Sequence, residues 1–144
     1  MSKHILVAYD GSPQAEEALT FARTEWPDVE MTLCYVINPA DASDGFGSGV
    51  PSTGEEWFDE AKRVARERLD AAVEAHGHDL NTRVEVGRPA KTIVEVARED
   101  DAGEPVFDHL VIGSHGRKGV SRILLGSVAE TVVRDSPVPV TVVR

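Results

Sequence analysis

The sequence predicts an α/β fold: a single doubly wound, five-stranded parallel sheet with helices on both faces. Three observations lead there. Apolar runs of strand length alternate with segments whose apolar residues recur at helical spacing, in the order β-α-β-α-β-α-β-α-β. Strand ends carry turn-forming residues, as in Asp10-Gly11-Ser12-Pro13 and Asn38-Pro39. No internal repeat or linker divides the 144 residues, so residues 1–144 read as one domain. Crossover helices between strands make neighbouring strands parallel and place helices on the faces of the sheet.

Each element has its own signal. HILVAYD at residues 4–10 is a buried strand, and Ser12 can cap the following helix with Pro13 at its first position. Ala15, Ala18, Leu19 and Ala22 mark that helix's apolar face. MTLCYVI, residues 31–37, is the second strand. Residues 40–54 hold four glycines, three serines, two aspartates and one phenylalanine without a period, and are expected to form a flexible loop. Within it, Gly45-Phe46-Gly47-Ser48-Gly49 is superficially like a dinucleotide fingerprint, but Val50 follows and no strand leads directly into it.

A long helix is expected from about Glu55 to Ala75, with Phe58, Ala61, Ala65, Leu69, Ala72 and Val73 inward. Lys62, Arg63, Arg66, Glu67, Arg68 and Asp70 supply its wet side, and Gly77 stops it. NTRVEV, residues 81–86, alternates and reads as a peripheral strand. Gly87 and Pro89 then introduce a helix carrying Ala90, Ile93, Val94 and Ala97. Phe107–Gly113 is the fourth strand. A last helix spans about Ser127 to Asp135, and Val138–Val143 forms the terminal strand.

Composition narrows the function. The 41% hydrophobic content fits a folded globular protein. No run of 18 apolar residues occurs, and MSKHILVAYD lacks a basic region followed by a cleavable apolar stretch, so a cytoplasmic protein without a membrane partner is expected. The lone Cys34 lies in an apolar run and reads as a buried thiol. A net charge of −10 argues against nucleic acid as a partner, because a polyphosphate backbone needs a basic surface.

Ligands of open parallel sheets bind beyond the carboxyl ends of the strands, where strand order reverses. Two strand ends are polar and glycine-rich: Asp10-Gly11-Ser12, and Gly113-Ser114-His115-Gly116. The second continues through Arg117, Lys118 and Gly119 to Gly126-Ser127, where the last helix begins. Between Asp108 and Glu130 there is no acid, yet Arg117, Lys118 and Arg122 are basic. Glycines admit an anion close to backbone amides, and a helix N-terminus adds partial positive charge, so the loop suits phosphate. The same glycines also suit tight turns, with Ser127 merely an N-cap. The loop is not a Walker motif.

Gly113-x2-Gly116-x9-Gly126-Ser127 resembles the nucleotide-binding signature of the ATP-binding universal stress proteins. The surrounding GSHGRKGVSRILLGSVAE, the ending SPVPVTVVR, the opening HILVAYDGS, the Cys34-Tyr35-Val36 strand end and VEVGRPAKTIVEVA are similar to that family as well. The resemblance covers essentially the whole chain except residues 40–54. It implies a Rossmann-like fold of the adenine nucleotide α-hydrolase type, and a regulator or sensor whose state follows ATP, ADP or AMP occupancy. It further implies that Asp10 contacts the ribose side, that the Val36 main chain reads the adenine edge, and that Ala8 lines the base pocket. Gly113, Ser114, His115 and Gly116 would wrap ribose and phosphates, while Gly126, Ser127 and Val128 meet the phosphate tail. Ser12 belongs to the same first loop. Arg117 and Lys118 are candidates for charge neutralisation, and Mg²⁺ or Mn²⁺ would be held through the phosphates, with no protein ligand evident. A homodimer through Val138–Val143 is also implied, since an uncovered edge strand invites a second copy.

Other readings are weaker. A phosphotransfer receiver needs clustered acids after the first strand and an acceptor Asp on the third, whereas the first supplies only Asp10 and the third ends in Val86-Gly87. A hydrolase needs an oriented base. Of the histidines, His76 and His78 flank a turn glycine as a solvated pair, and no carboxylate is predictably placed to orient His115. A slow ATP hydrolase and a dimeric module that binds no nucleotide stay as alternatives.

Overall fold

A computed structural model describes residues 3–44, 54–115 and 125–144. Its main sheet has five strands: β1 (His4–Ala8), β2 (Glu30–Ile37), β3 (Asn81–Val86), β6 (His109–Gly113) and β7 (Val140–Val143), in spatial order β3-β2-β1-β6-β7. Every neighbouring pair in it is parallel, so the order reverses between β1 and β6. The helices are α1 (Pro13–Glu25), α2 (Asp41–Asp44), α3 (Gly54–His76), α4 (Pro89–Ala97) and α5 (Ser127–Asp135).

The period-two alternation of the strands builds two cores. Ile5, Val7, Leu33, Tyr35 and Val111 face Ala18, Leu19 and Ala22 of α1 and Ala65, Leu69 and Ala72 of α3. Leu6, Ala8, Cys34, Val36, Leu110 and Ile112 face the opposite way, against Ile93 and Ala97 of α4 and Ala129 and Val132 of α5. Both faces being covered explains why the central strands are continuous apolar runs rather than alternating ones. β3, the polar strand, lies at an edge as its alternation predicts.

Several boundaries move for identifiable reasons. β1 ends at Ala8 although Tyr9 N–H still donates to Cys34 O at 3.0 Å; Asp10 leaves the ladder because its Oδ1 accepts from Ser12 N–H at 2.9 Å. β6 begins at His109 and β7 at Val140, while Asp108 N–H and Pro139 O keep single bonds to the neighbouring strands. The expected loop over 40–54 is corrected at both ends: Asp41–Asp44 is a helical turn and Gly54 opens α3, with residues 45–53, glycine cluster included, outside the described residues.

A two-stranded antiparallel hairpin, β4 (Asp100–Asp101) with β5 (Glu104–Pro105), was not expected. Its two-residue turn puts Ala102 at φ 55° and Gly103 at φ 85°, the left-handed pair that such turns require. Alanine at the first position hides the signal that Asn-Gly or Asp-Gly would give.

Histidines report on packing. His76, expected in solvent, is instead tucked against α1: its Nε2 lies 2.8 Å from Glu16 Oε2, and the other Glu16 oxygen accepts from Tyr9 hydroxyl. His78 is exposed, 3.6 Å from Glu74. His109 sits beneath Trp26 and 2.7 Å from Thr141 Oγ1. Burial, and then the charge of Lys3, hold its pKa below the ordinary 6.5. For Glu16, burial pushes upward, but the bonds from Tyr9 and His76 prevail and its carboxyl lies below the usual 4.5.

Both folded-state values are depressed, so both contributions are present above the unfolded pKa and lost as pH falls. Denaturant titrations are expected to show stability dropping from pH 6.5 downward through His109, then further below pH 4.5 through Glu16. His109→Gln is expected to remove the first step and leave the second.

Candidate functional site

The carboxyl ends of β1 and β6 part at the order reversal, and a cleft of about 810 Å³ opens there. That volume lies within the range of small-molecule sites. It forms on the face covered by α4 and α5. Its inner wall is therefore apolar: Ala8, Cys34, Val36 and Ile112 from the sheet and Ile93 from α4. The small side chain of Ala8 ends β1 without filling the space above it. Cys34 is 1% exposed, and burial pushes its thiol up to about 12, so it acts as apolar lining rather than as a nucleophile.

The rim is polar. Asp10 and Ser12 stand on the first loop, Asn38 and Asp41 follow β2, and Arg88 precedes α4. Ser12 is committed to structure, since its Oγ accepts from Ala15 N–H at 3.1 Å and caps α1. Gly126, not Ser127, is the N-cap of α5, and being glycine it supplies no side-chain cap. Ser127 is thereby the first helical residue, with Val128 beside it on the cleft wall.

Two glycines hold the wall between β6 and α5 together. Gly126 N–H donates to Ser114 O at 2.8 Å, which fastens the start of α5 to the exit of β6. A Cβ at Gly126 would stand 3.1 Å from Ser114 O and 3.4 Å from His115 Cα. A Cβ at Gly113 would stand 2.9 Å from Gln14 O, so the last residue of β6 rests directly on the first turn of α1. Ser114 is buried behind the wall rather than on it; its Oγ is 3.0 Å from His115 Nδ1.

His115 lines the cleft, and its remaining nitrogen Nε2 is buried with no hydrogen-bond partner among the described residues. An unpaired buried polar atom costs about 1–3 kcal/mol, so a polar ligand atom there would recover part of that loss. A helix start whose N-cap is glycine, an imidazole nitrogen without a partner among the described residues and glycines with no room for side chains fit a phosphorylated ligand; the apolar inner wall fits a flat base.

A model of the universal stress protein family matches residues 1–144. The chain belongs to that family. Universal stress protein MJ0531 of Methanocaldococcus jannaschii is 32% identical to this universal stress protein over 99% of its length and 82% of the relative's. The fold agrees with hypothetical protein MJ0577, a solved structure 29% identical with a TM-score of 0.79, over 99% of this chain and 96% of that one. A universal stress protein solved in complex with cAMP is 25% identical with a TM-score of 0.61, over 99% and 97% of the two chains.

Of the residues expected at the site, Ala8, Asp10, Ser12, Val36, Gly113, His115, Gly126, Ser127 and Val128 meet at the cleft. Gly116, Arg117 and Lys118 lie outside the described residues. Asn38, Asp41 and Arg88 were missed, although Asn38 directly follows β2 and Arg88 lies two residues past β3, and ligand sites form at carboxyl ends of strands. No helix among the described residues is long and apolar enough to cross a membrane, and none of their acid, histidine or cysteine side chains group as a metal site.

Proposed function

We propose that this universal stress protein binds ATP, or ADP or AMP, in the cleft between β1 and β6 and acts as a nucleotide-dependent regulator or sensor of the stress response. The observation that carries this reading is the buried His115 Nε2, without a hydrogen-bond partner among the described residues, in a cleft at the sheet's switch point beside the glycine-capped start of α5. The cAMP complex of a relative supports an adenine nucleotide as ligand class.

In this reading the base lies against Ala8, Val36 and Ile93, with the Val36 main chain on its edge. Asp10 accepts from ribose hydroxyls, since a carboxylate is an acceptor for both. The amides of Gly126, Ser127 and Val128 and the Ser127 hydroxyl take the phosphates, at the positive end of α5. Gly116 keeps the role that the family motif implies, Arg117 and Lys118 are candidates for charge neutralisation by their basic charge, and Mg²⁺ or Mn²⁺ would be held through the phosphates. The neighbour of His115 Nδ1 is the Ser114 hydroxyl, not a carboxylate, which favours holding ATP over cutting it.

Titration calorimetry of Mg-ATP into nucleotide-free protein is expected to show saturable binding with one site per chain. No heat of binding from protein verified as nucleotide-free would overturn the proposal.

The terminal strand supports a homodimer. β7 is an edge of the sheet, and the helices packed beside it, α1 and α5, expose Phe21 and Val133, at 36% and 46%. An open edge flanked by apolar residues suits a second copy. Light scattering at micromolar concentration is expected to give twice the chain mass; a monomer there counts against the interface.

A further inference from the structure

Arg68 belongs, by helical periodicity, to the wet side of α3, and the structure puts it elsewhere. Its side chain runs from α3 to the end of the sheet, where Nη1 donates to Tyr35 hydroxyl at 2.8 Å and to Asp10 carbonyl oxygen at a longer 3.4 Å. Tyr35 is 3% exposed, so this hydroxyl is a fixed anchor. The aliphatic stem of Arg68 fills the space beside Gly11. A Cβ on residue 11 would fall 2.7 Å from Arg68 Cδ and 3.3 Å from Cγ, and Gly11 sits at φ 79°. Glycine at position 11 thus serves two ends at once: the left-handed turn and the passage of the arginine.

Asp10 is consequently held from both sides. Its carbonyl faces the Arg68 guanidinium, and its carboxylate Oδ1 accepts from Ser12 N–H. The second bond fixes the side-chain torsion, and the first fixes the peptide that carries it. A guanidinium is suited to this, being planar, permanently charged and able to meet two oxygens at once. We propose that Arg68 is a positioning residue for ribose recognition: it holds the Asp10-Gly11 turn so that the Asp10 carboxylate meets the ribose hydroxyls. The proposal rests on the nucleotide reading above. Arg68 itself does not line the cleft; the Asp10 turn is its link to it.

Ribose discrimination is the readout that separates positioning from general stabilisation. The dissociation constant of 2′,3′-dideoxy-ATP divided by that of ATP measures what the ribose hydroxyls contribute. A variant that only loosens the fold weakens both ligands alike and leaves the ratio unchanged. Arg68→Met keeps the stem against Gly11 and removes the guanidinium. It is expected to weaken ATP about tenfold and to bring the ratio close to that of Asp10→Asn, with the double variant adding nothing further to the ratio. Tyr35→Phe removes only the anchor hydroxyl and is expected to lower the ratio about threefold.

A wild-type ratio in folded Arg68→Met overturns the proposal while ATP binding itself stands. If Arg68→Met does not fold, Tyr35→Phe decides, and an unchanged ratio there overturns it. Failure of the wild type to bind ATP removes the nucleotide reading and this role together, and is distinguished by the wild-type titration alone.

Discussion

Gly126→Val is expected to weaken ATP binding by about a hundredfold or more while leaving a folded protein. The valine Cβ would stand 3.1 Å from Ser114 O and 3.4 Å from His115 Cα, both on the chain that leaves β6. Neither neighbour is the free end of a flexible side chain, so the start of α5 must shift away. That shift strains the 2.8 Å bond from Gly126 N–H to Ser114 O and displaces the first amides of α5 with it. Hydrogen bonds to phosphate fall steeply with distance and angle, and losing two of them suffices for a hundredfold. The N-cap backbone itself, at φ −64° and ψ 158°, suits any residue, so the cost is one of space and not of backbone strain. Calorimetry with thermal unfolding checks both halves. Gly54→Ala, in open space at the start of α3, is the control and is expected to bind ATP as the wild type does. Full ATP affinity in Gly126→Val would refute the assignment of this wall to phosphate.

Gly113→Ala is expected to act first on stability. Its Cβ would meet Gln14 O at 2.9 Å, Gln14 C at 3.0 Å and Gln14 Cβ at 3.1 Å, all on the first turn of α1. Helix α1 cannot simply back away, because Ala15, Ala18, Leu19 and Ala22 are buried against the sheet. Overpacking of this kind costs roughly 2 kcal/mol, or about 5 °C in Tm for a chain of this size. Moving the first turn of α1 also moves its cap Ser12, hence the Asp10 turn, so a secondary loss of ATP affinity is expected. Thermal and denaturant unfolding measure the first effect. An unchanged Tm would mean that α1 does not rest on β6 as tightly as the distances indicate. The two glycines of one motif thus separate: one leaves room for a ligand wall, the other for a helix.

Sequence pattern located the cleft because its walls sit at strand ends, where local chemistry is conspicuous. Asp10-Gly11-Ser12 and Gly113-Ser114-His115 are polar breaks after apolar runs, and the switch-point rule brings them together once the strand order is known. The pattern misplaced residues whose partners are distant in sequence. Arg68 follows the helix period of solvent-facing neighbours, yet its partners Asp10 and Tyr35 are 58 and 33 residues away. His76 beside Gly77 looks like a turn histidine; only the packing of α3 on α1 delivers Glu16 to it. The β4–β5 hairpin escaped because Ala102 occupies a left-handed position that local preference gives to glycine or asparagine.

Local pattern was enough for the order of the five strands in the chain, the parallel sheet, the two apolar helix layers and the resemblance to the family. Each of these follows from short-range periodicity or from a motif read within one segment. Tertiary structure alone decided which loops face each other, that Ser114 turns inward while His115 lines the cleft, and that Arg68 supports the Asp10 turn. It also decided the ionisation of Glu16 and His109. These depend on contacts between segments far apart in the chain, and on burial, which no local pattern specifies.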